Sequence, residues 1–388
     1  MTQPTLPVAA GAGINHLSID DESLETIRTV WNRCLPEPLD AAQPPAVVVL
    51  ADYWKDSGEM PSGRSDAVVG DVTATAIDAG IGHRVMFHAA GLSDPESRRT
   101  IALVAPSGTG KTTAVAALGS QFGYVTDETV IIDPDSLAIT PFPKPLSILG
   151  PSGQRPKTLF SPDELGLMAT PQNPTLGAVV VLARDPDHDD APHLERLTLA
   201  DALGHLVPQT SSLAALDRGL ATLAGVVDRV GGCHLRRYRE IHTVGPLLEK
   251  LLAAEPVQES PAWSAVELPV EGRVDEPANT STVPDGWVQR ATAQDVLALP
   301  DDCLAVLVDS NFMVLQGLGP VIWDSLDQPT PLDTLVDQLA SHPEAPEEAE
   351  QMVRDAVAQL AERGVLLLDP ANAQGQAKVL GQANEIKS

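Results

Sequence analysis

The segment Ala105-Pro-Ser-Gly-Thr-Gly-Lys-Thr112 holds residue types that grip a polyphosphate. It follows the pattern GxxxxGK[ST], with alanine in place of the first glycine. Gly108 and Gly110 let successive backbone N–H groups turn inward, Lys111 carries a positive charge to the terminal phosphate oxygens, and the Thr112 hydroxyl can ligate Mg2+. Ser107, Gly108, Thr109, Gly110, Lys111, Thr112 and Thr113 are therefore the expected nucleotide contacts, for ATP or GTP with Mg2+. Asp127 and Glu128 follow in YVTDETV, where one helix later the chain returns on a strand toward the phosphate loop. One such carboxylate can accept the proton of an attacking hydroxyl while the other holds the metal. His88 closes the strand-like RVMFH upstream. Lys144, Arg155 and Lys157 are isolated cations, a class that is usually solvated, and they carry little weight.

These residues need a strand before the loop and a helix after it. Ile101 to Val104 reads as a buried-type strand, and Thr112 to Phe122 carries a helical apolar pattern stopped by Gly123. Residues 1–98 mix short apolar runs, such as that at 46–50, with turn signals, and Val68 to Ile77 followed by His83 to Ala89 read as consecutive strands. Tyr124 to Thr126 and Thr129 to Ile132 give strands on either side of the acidic pair, and Leu176 to Leu182 is a fully apolar strand. Helical patterns follow at Leu199 to Leu206, Leu213 to Val230 and Val244 to Leu252. The succession predicts an α/β domain.

The series MFHAA, APSGTGKTT, FGYVTDETVIID and PFPKPLSI, from Arg84 to Leu149, resembles the HPr kinase-like branch of P-loop proteins. That fold is shared with phosphoenolpyruvate carboxykinases. The resemblance implies an ATP-binding domain over residues 1–254, with a histidine near the γ-phosphate and an acidic pair supplying the base and a metal contact. Carried over by position, His88, Lys111 and Asp127 are the catalytic residues. Glu128 stands where the family usually has a second Asp, and joins Thr112 at the metal. True HPr kinases carry a Glu-x-Arg-Gly-like segment where this chain has VVVLARDP, so HPr is not the expected acceptor.

A length of 388 residues points to two folded units. With 43% hydrophobic and 20% charged residues the chain can build ordinary cores, and it lacks an 18-residue apolar stretch or a signal-like N-terminus, so a cytoplasmic setting is expected. Cys34, Cys233 and Cys303 are too scattered for a zinc site or a disulfide framework. The net charge of −28 disfavours nucleic acid and anionic membrane as partners.

Residues 255–286 turn to Pro, Glu, Ser and Thr, as a linker does. Beyond it, Ala305 to Val308 and Phe312 to Leu315 predict a hairpin, and Pro320 to Leu326, Pro331 to Ser341 and Pro346 to Arg363 predict helices before the strand-like Val365 to Leu368. This gives a small α+β, winged-helix-like unit over 287–370 and a disordered tail at 371–388. The series from Cys303 to Ala340, with the later ERGVLLL, resembles PqqD-like peptide-recognition domains. The resemblance implies that the leader segment of a precursor peptide is held here, and strand addition to a sheet edge is the physical route. Phe312 to Leu315 and the helix from Glu347 to Leu360 are the expected groove. Glu344, Glu347, Glu348 and Glu350 make the third helix acidic, which argues against DNA. The combined expectation is a kinase for a Ser or Thr hydroxyl of a ribosomally made peptide. A non-catalytic nucleotide-gated peptide chaperone and a small-molecule kinase are the alternatives, and oligomerisation stays open.

Overall fold

In a computed structural model of the chain, the described residues are 5–18, 24–36, 64–149, 157–188, 191–257, 260–268 and 283–368. The apolar run 46–50, Arg155, the tail 371–388 and parts of the expected linker lie outside them. Contacts divide the chain into two units, Met1–Asp217 with Thr222–Ser260, and Arg218–Ala221 with Pro261–Ser388.

The chain begins with an antiparallel pair, β1 (Thr5–Ala10) and β2 (Gly13–Ser18), then α1 (Leu24–Val30) and α2 (Arg64–Asp78). Val68 to Ile77, expected as a strand, lies inside α2. Val68, Val72 and Ala76 recur every four residues and are buried in one cluster with Leu6, Val8 and Leu17. The β-branched composition suggested a strand, but burial follows the helical period and packing decides the element.

Next come β3 (Val85–Ser93), β4 (Arg99–Val104), α3 (Lys111–Leu118), β5 (Gly123–Thr126) and β6 (Thr129–Ile132). β5 and β6 both pair with β3, so one strand braces both sides of the Asp127–Glu128 turn. The helix ends earlier than its apolar pattern, at Leu118, and the next position is a glycine where a side chain would meet Leu167 Cδ2 at 2.6 Å. The short strands β7 (Ile139–Thr140), β8 (Leu146–Ile148) and β9 (Thr158–Phe160) follow. The succession continues with β10 (Thr175–Arg184), β11 (Glu195–Arg196), α4 (Leu199–Leu206), β12 (Thr210–Ser211), α5 (Gly219–Arg229), β13 (Cys233–Tyr238) and α6 (Gly245–Ala253). The helix expected over Leu213 to Val230 is interrupted. Ser212 and Arg218 adopt left-handed φ values of 56° and 58°, which isolates a single turn at Leu213–Ala215.

The main sheet has the order β11-β13-β10-β4-β3-β6-β7. Its centre, β13, β10 and β4, is parallel, which explains why β10 is apolar along almost its whole length: both faces are covered. Leu103 and Val180 from neighbouring strands share a core with Val115 and Leu118 of α3 and Leu248 of α6. Each such side chain contributes about 1.5–3 kcal/mol by burial, and together they fix α3 and the loop that precedes it.

The second unit has a meander of β14 (Ser264–Ala265), β16 (Asp295–Leu299), β17 (Cys303–Val308) and β18 (Asn311–Leu315), with β15 (Trp287–Arg290) in a separate sheet. Three helices follow, α7 (Leu318–Asp324), α8 (Leu332–Ala340) and α9 (Ala349–Glu362), together with β19 (Thr330–Pro331) and β20 (Leu366–Leu368), which flank β15. Val306, Ile322, Trp323, Leu335, Val353 and Val357 form its core. β14 lies within the stretch expected as linker and pairs with β16.

Candidate active site

Gly108 and Gly110 take φ values of 82° and 101°, which turn the loop between β4 and α3 in a way other residues resist. The amides of Lys111, Thr112 and Thr113 open α3 and have no intrahelical acceptor. Lys111 is 7% exposed, and its Nζ donates to the carbonyls of Ala105 and Pro106 at 2.6 and 3.3 Å. The loop is further tied by the Tyr238 hydroxyl, which donates to the Thr109 carbonyl at 3.4 Å.

Asp127 and Glu128 form the turn between β5 and β6. The Thr126 hydroxyl accepts from the Glu128 and Thr129 amides, and Ala89 N–H on β3 donates to the Glu128 carbonyl. The turn therefore follows from its own threonine and from the strand that carries His88. Thr112 Oγ1 donates to Asp127 Oδ2 at 3.0 Å, which joins the phosphate loop to the acidic turn. His88 Nδ1 stands 3.6 Å from Glu128 Oε1. All five side chains expected to do chemistry, His88, Lys111, Thr112, Asp127 and Glu128, thus gather beyond the C-terminal end of β4, beside the middle of β3.

Two residues that sequence reasoning passed over complete the arrangement. Lys144, expected to be solvated, is 1% exposed and its Nζ lies 2.7 Å from Asp127 Oδ1 and 3.6 Å from Glu128 Oε2. A buried ammonium needs a carboxylate, and the available signal was its place in PFPKPLSI, a lysine flanked by prolines in an otherwise apolar run. Tyr124 is buried; its hydroxyl donates to the Lys144 carbonyl at 2.8 Å and lies 3.3 Å from Asp127 Oδ1. Lys157 enters none of these contacts.

The electrostatics follow from burial. Desolvation, assisted by the charge of Lys111, pulls His88 below the usual histidine range, although Glu128 works in the opposite direction. Desolvation likewise lowers Lys111 against the pull of Glu128 and Asp127. For Lys144 burial also disfavours the charge, yet Asp127 and Glu128 outweigh it and the ammonium is held above its ordinary value. Burial and the Asp127 charge raise Tyr124. Cys34 is pushed up to about 12 by burial, which leaves it an inert thiol beside Lys144. Among the described residues no three His, Cys, Asp or Glu side chains converge as metal ligands. A Thr hydroxyl with one or two carboxylates is nevertheless a donor set that suits Mg2+, which keeps several waters and takes its other ligands from phosphates.

In the second unit, a cavity of about 470 Å3 is lined by Asn311, Phe312 and Met313 of β18 and by Glu362, Arg363 and Gly364 at the end of α9. The expected groove comprised Phe312 to Leu315 and the body of that helix; the cavity shares Phe312 and Met313 with it and is otherwise lined by the last residue of the helix and the turn beyond it. Among the described residues β18 ends its sheet, with β17 on one side only. Among the described residues no helix is long and apolar enough to cross a membrane.

Residues 303–366 match the family described as Coenzyme PQQ synthesis protein D (PqqD), so the second unit is similar to that family over β17 to β20. No curated protein matches the chain. Among solved structures, the chain is similar to the HPr(Ser) kinase/phosphatase from Coxiella burnetii, at 12% identity and a TM-score of 0.25, over 43% of this chain and 93% of that one.

Proposed function

We propose that the chain is an ATP-dependent phosphotransferase of the peptide-modification type. It moves a phosphoryl group to a Ser or Thr hydroxyl of a ribosomally made precursor peptide in the cytoplasm. The observation that carries this reading is the 3.0 Å bond from Thr112 Oγ1 to Asp127 Oδ2, because it sets an acidic pair beside a phosphate-binding loop.

The residues present fit Mg2+ and ATP. The left-handed glycines, the free amides at the start of α3 and the Lys111 ammonium form a donor-rich cradle for phosphates. The position a side chain would take at Gly108 is open, so the loop surface faces space. Ser107 to Thr113 would hold the nucleotide, and Thr112 with an acidic residue of the turn would hold the metal. When bound, Mg2+ supplies charge neutralisation at the phosphates. The rest of the work falls to this chain: Lys111 orients phosphate oxygens, one carboxylate of the turn takes the acceptor's proton, and His88 with Lys144 sets the charge around that pair.

The second unit supplies the acceptor. Its three helices with short antiparallel strands suit a winged-helix-like PqqD module, and the free edge of β18 beside the cavity suits a leader peptide added as a strand. Covalent linkage of the two functions raises the local concentration of the core peptide to about the millimolar range for a short flexible connection.

The test is incubation of the full chain with γ-labelled ATP, Mg2+ and the peptide encoded beside its gene. Labelled peptide should form, and Lys111→Ala should lower its yield by about 100-fold or more. Nucleotide binding without any labelled peptide would sink the kinase and leave a nucleotide-gated chaperone.

A further inference from the structure

The acidic turn offers two carboxylates in very different states. Asp127 is 4% exposed and both of its oxygens are taken: Oδ1 by Lys144 Nζ at 2.7 Å, with the Tyr124 hydroxyl at 3.3 Å, and Oδ2 by the Thr112 hydroxyl at 3.0 Å. Glu128 has a side chain 33% exposed. Its two neighbours, His88 Nδ1 and Lys144 Nζ, each stand 3.6 Å away, beyond hydrogen-bond range, and among the described residues no donor bonds its carboxylate. A proton acceptor needs an accessible lone pair at the moment the hydroxyl arrives. A residue that orients a metal through the loop threonine needs the opposite, a fixed carboxylate bonded to that threonine.

We infer that Glu128 is the proton acceptor of the proposed transfer and that Asp127, pinned by Lys144, is the positioning residue for the metal on Thr112. This reverses the roles that family position assigns to the pair, and it rests on the kinase reading. In the step itself the acceptor O–H bond breaks and its proton passes to Glu128. The oxygen bonds the transferred phosphorus, and the electron pair of the broken P–O bond leaves on the nucleoside diphosphate. Lys144 contributes by holding Asp127 in place: with Oδ1 on the ammonium and Oδ2 on the Thr112 hydroxyl, Asp127 is not turned toward the acceptor. Its neighbour Glu128, nearer solvent, stays free to turn toward an incoming hydroxyl.

The assignment is tested on the full chain with two readouts. The first is the gain in affinity for a fluorescent ATP analogue on adding Mg2+, measured without any acceptor. The second is release of labelled inorganic phosphate from γ-labelled ATP with water as the acceptor. Glu128→Gln, at a partly exposed side chain, is expected to keep the Mg2+ gain within about twofold while phosphate release falls about 100-fold or more. Asp127→Asn is expected to lose the Mg2+ gain. Because Asp127 is buried and that variant can fail to fold, Thr112→Val, which removes the hydroxyl bonded to Asp127, serves as the second probe of the same loss. Loss of the Mg2+ gain in Glu128→Gln, or phosphate release at the wild-type rate in that variant, overturns the assignment. A wild-type chain that gains affinity with Mg2+ yet transfers phosphate neither to water nor to the peptide overturns the kinase reading and, with it, the role given to Glu128. The Mg2+ readout still decides whether Asp127 or Glu128 serves the metal.

Discussion

The phosphate-loop site of the first unit and the β18 edge of the second are built from opposite materials. The first is a set of charges held out of water: Lys111, Lys144 and Asp127 are each under 8% exposed, and every one is held by a named hydrogen bond or ion pair. The second is a strand edge whose chemistry is backbone, with half-buried Phe312 and Met313 beside a cavity. A charge-built site fails when one charge is removed, because the partner is stranded in a dry place. A backbone-built edge tolerates most side chains and fails when its amides are blocked.

The largest effect expected from that contrast is at Lys144. Lys144→Met should cost about 3–5 kcal/mol, because it leaves Asp127 buried without its cation. For a unit of this size that is on the order of 10 °C in the thermal midpoint. Hydrogen exchange in β3 and β10 reads it within the first unit. Adding Asp127→Leu should restore most of the loss, since a well-packed apolar pair has no charge to strand. Unchanged exchange in Lys144→Met would mean that the pair contributes little and that the comparison is wrong on its charged side.

An intermediate effect is expected at the edge. From the register of β17 with β18 and the two-residue turn between Val308 and Asn311, hydrogen-bonded pairs alternate, so Phe312 and Val314 point their N–H groups away from β17. Val314→Pro should weaken binding of the precursor peptide at least tenfold, about 1.4 kcal/mol, as read by fluorescence anisotropy of a labelled peptide. Exchange protection of β17 should hardly change. Val306→Pro, on the strand between β16 and β18, should unfold the unit instead. Equal peptide affinity in Val314→Pro would remove strand addition at this edge.

The same contrast explains what could be read from the sequence. The turn between β4 and α3 is legible because glycines at 108 and 110 ahead of Lys111 and Thr112 match a known loop pattern, and both glycines take the left-handed φ that the pattern implies. The apolar run of β10 and the hairpin around Asp309 are legible because burial and turn chemistry act locally. The role of Lys144 was not legible: its place in PFPKPLSI hints at burial, but the role depends on a partner across the fold that no local pattern names. α2 was misread for a related reason, since the β-branched Val68, Val69 and Val72 favour a strand locally while the core cluster with Leu6 and Leu17 rewards a helical period. The division of labour between Asp127 and Glu128 lay equally outside the sequence, because adjacent acidic residues differ only in what surrounds them.

The smallest effect is also a charge effect, and it lies away from the phosphate loop. His234 on β13 is half-buried, its Nδ1 has no hydrogen-bond partner among the described residues, and β11 sets Arg196 directly opposite it. Burial, with the Arg196 charge second, holds His234 below the ordinary histidine value. A histidine depressed in the folded state binds its proton more readily when unfolded, so its contribution is fully present above about pH 6.5 and is lost as pH falls from there through the folded value. The slope cannot exceed one proton, about 1.4 kcal/mol per pH unit. The difference in thermal midpoint between the wild-type chain and His234→Gln should therefore be constant above about pH 6.5 and shift in favour of the variant below it. If the two curves stay parallel across that window, the proton is not taken up at His234. The buried-charge character of the first unit would then be confined to the phosphate-loop site rather than extending along its sheet.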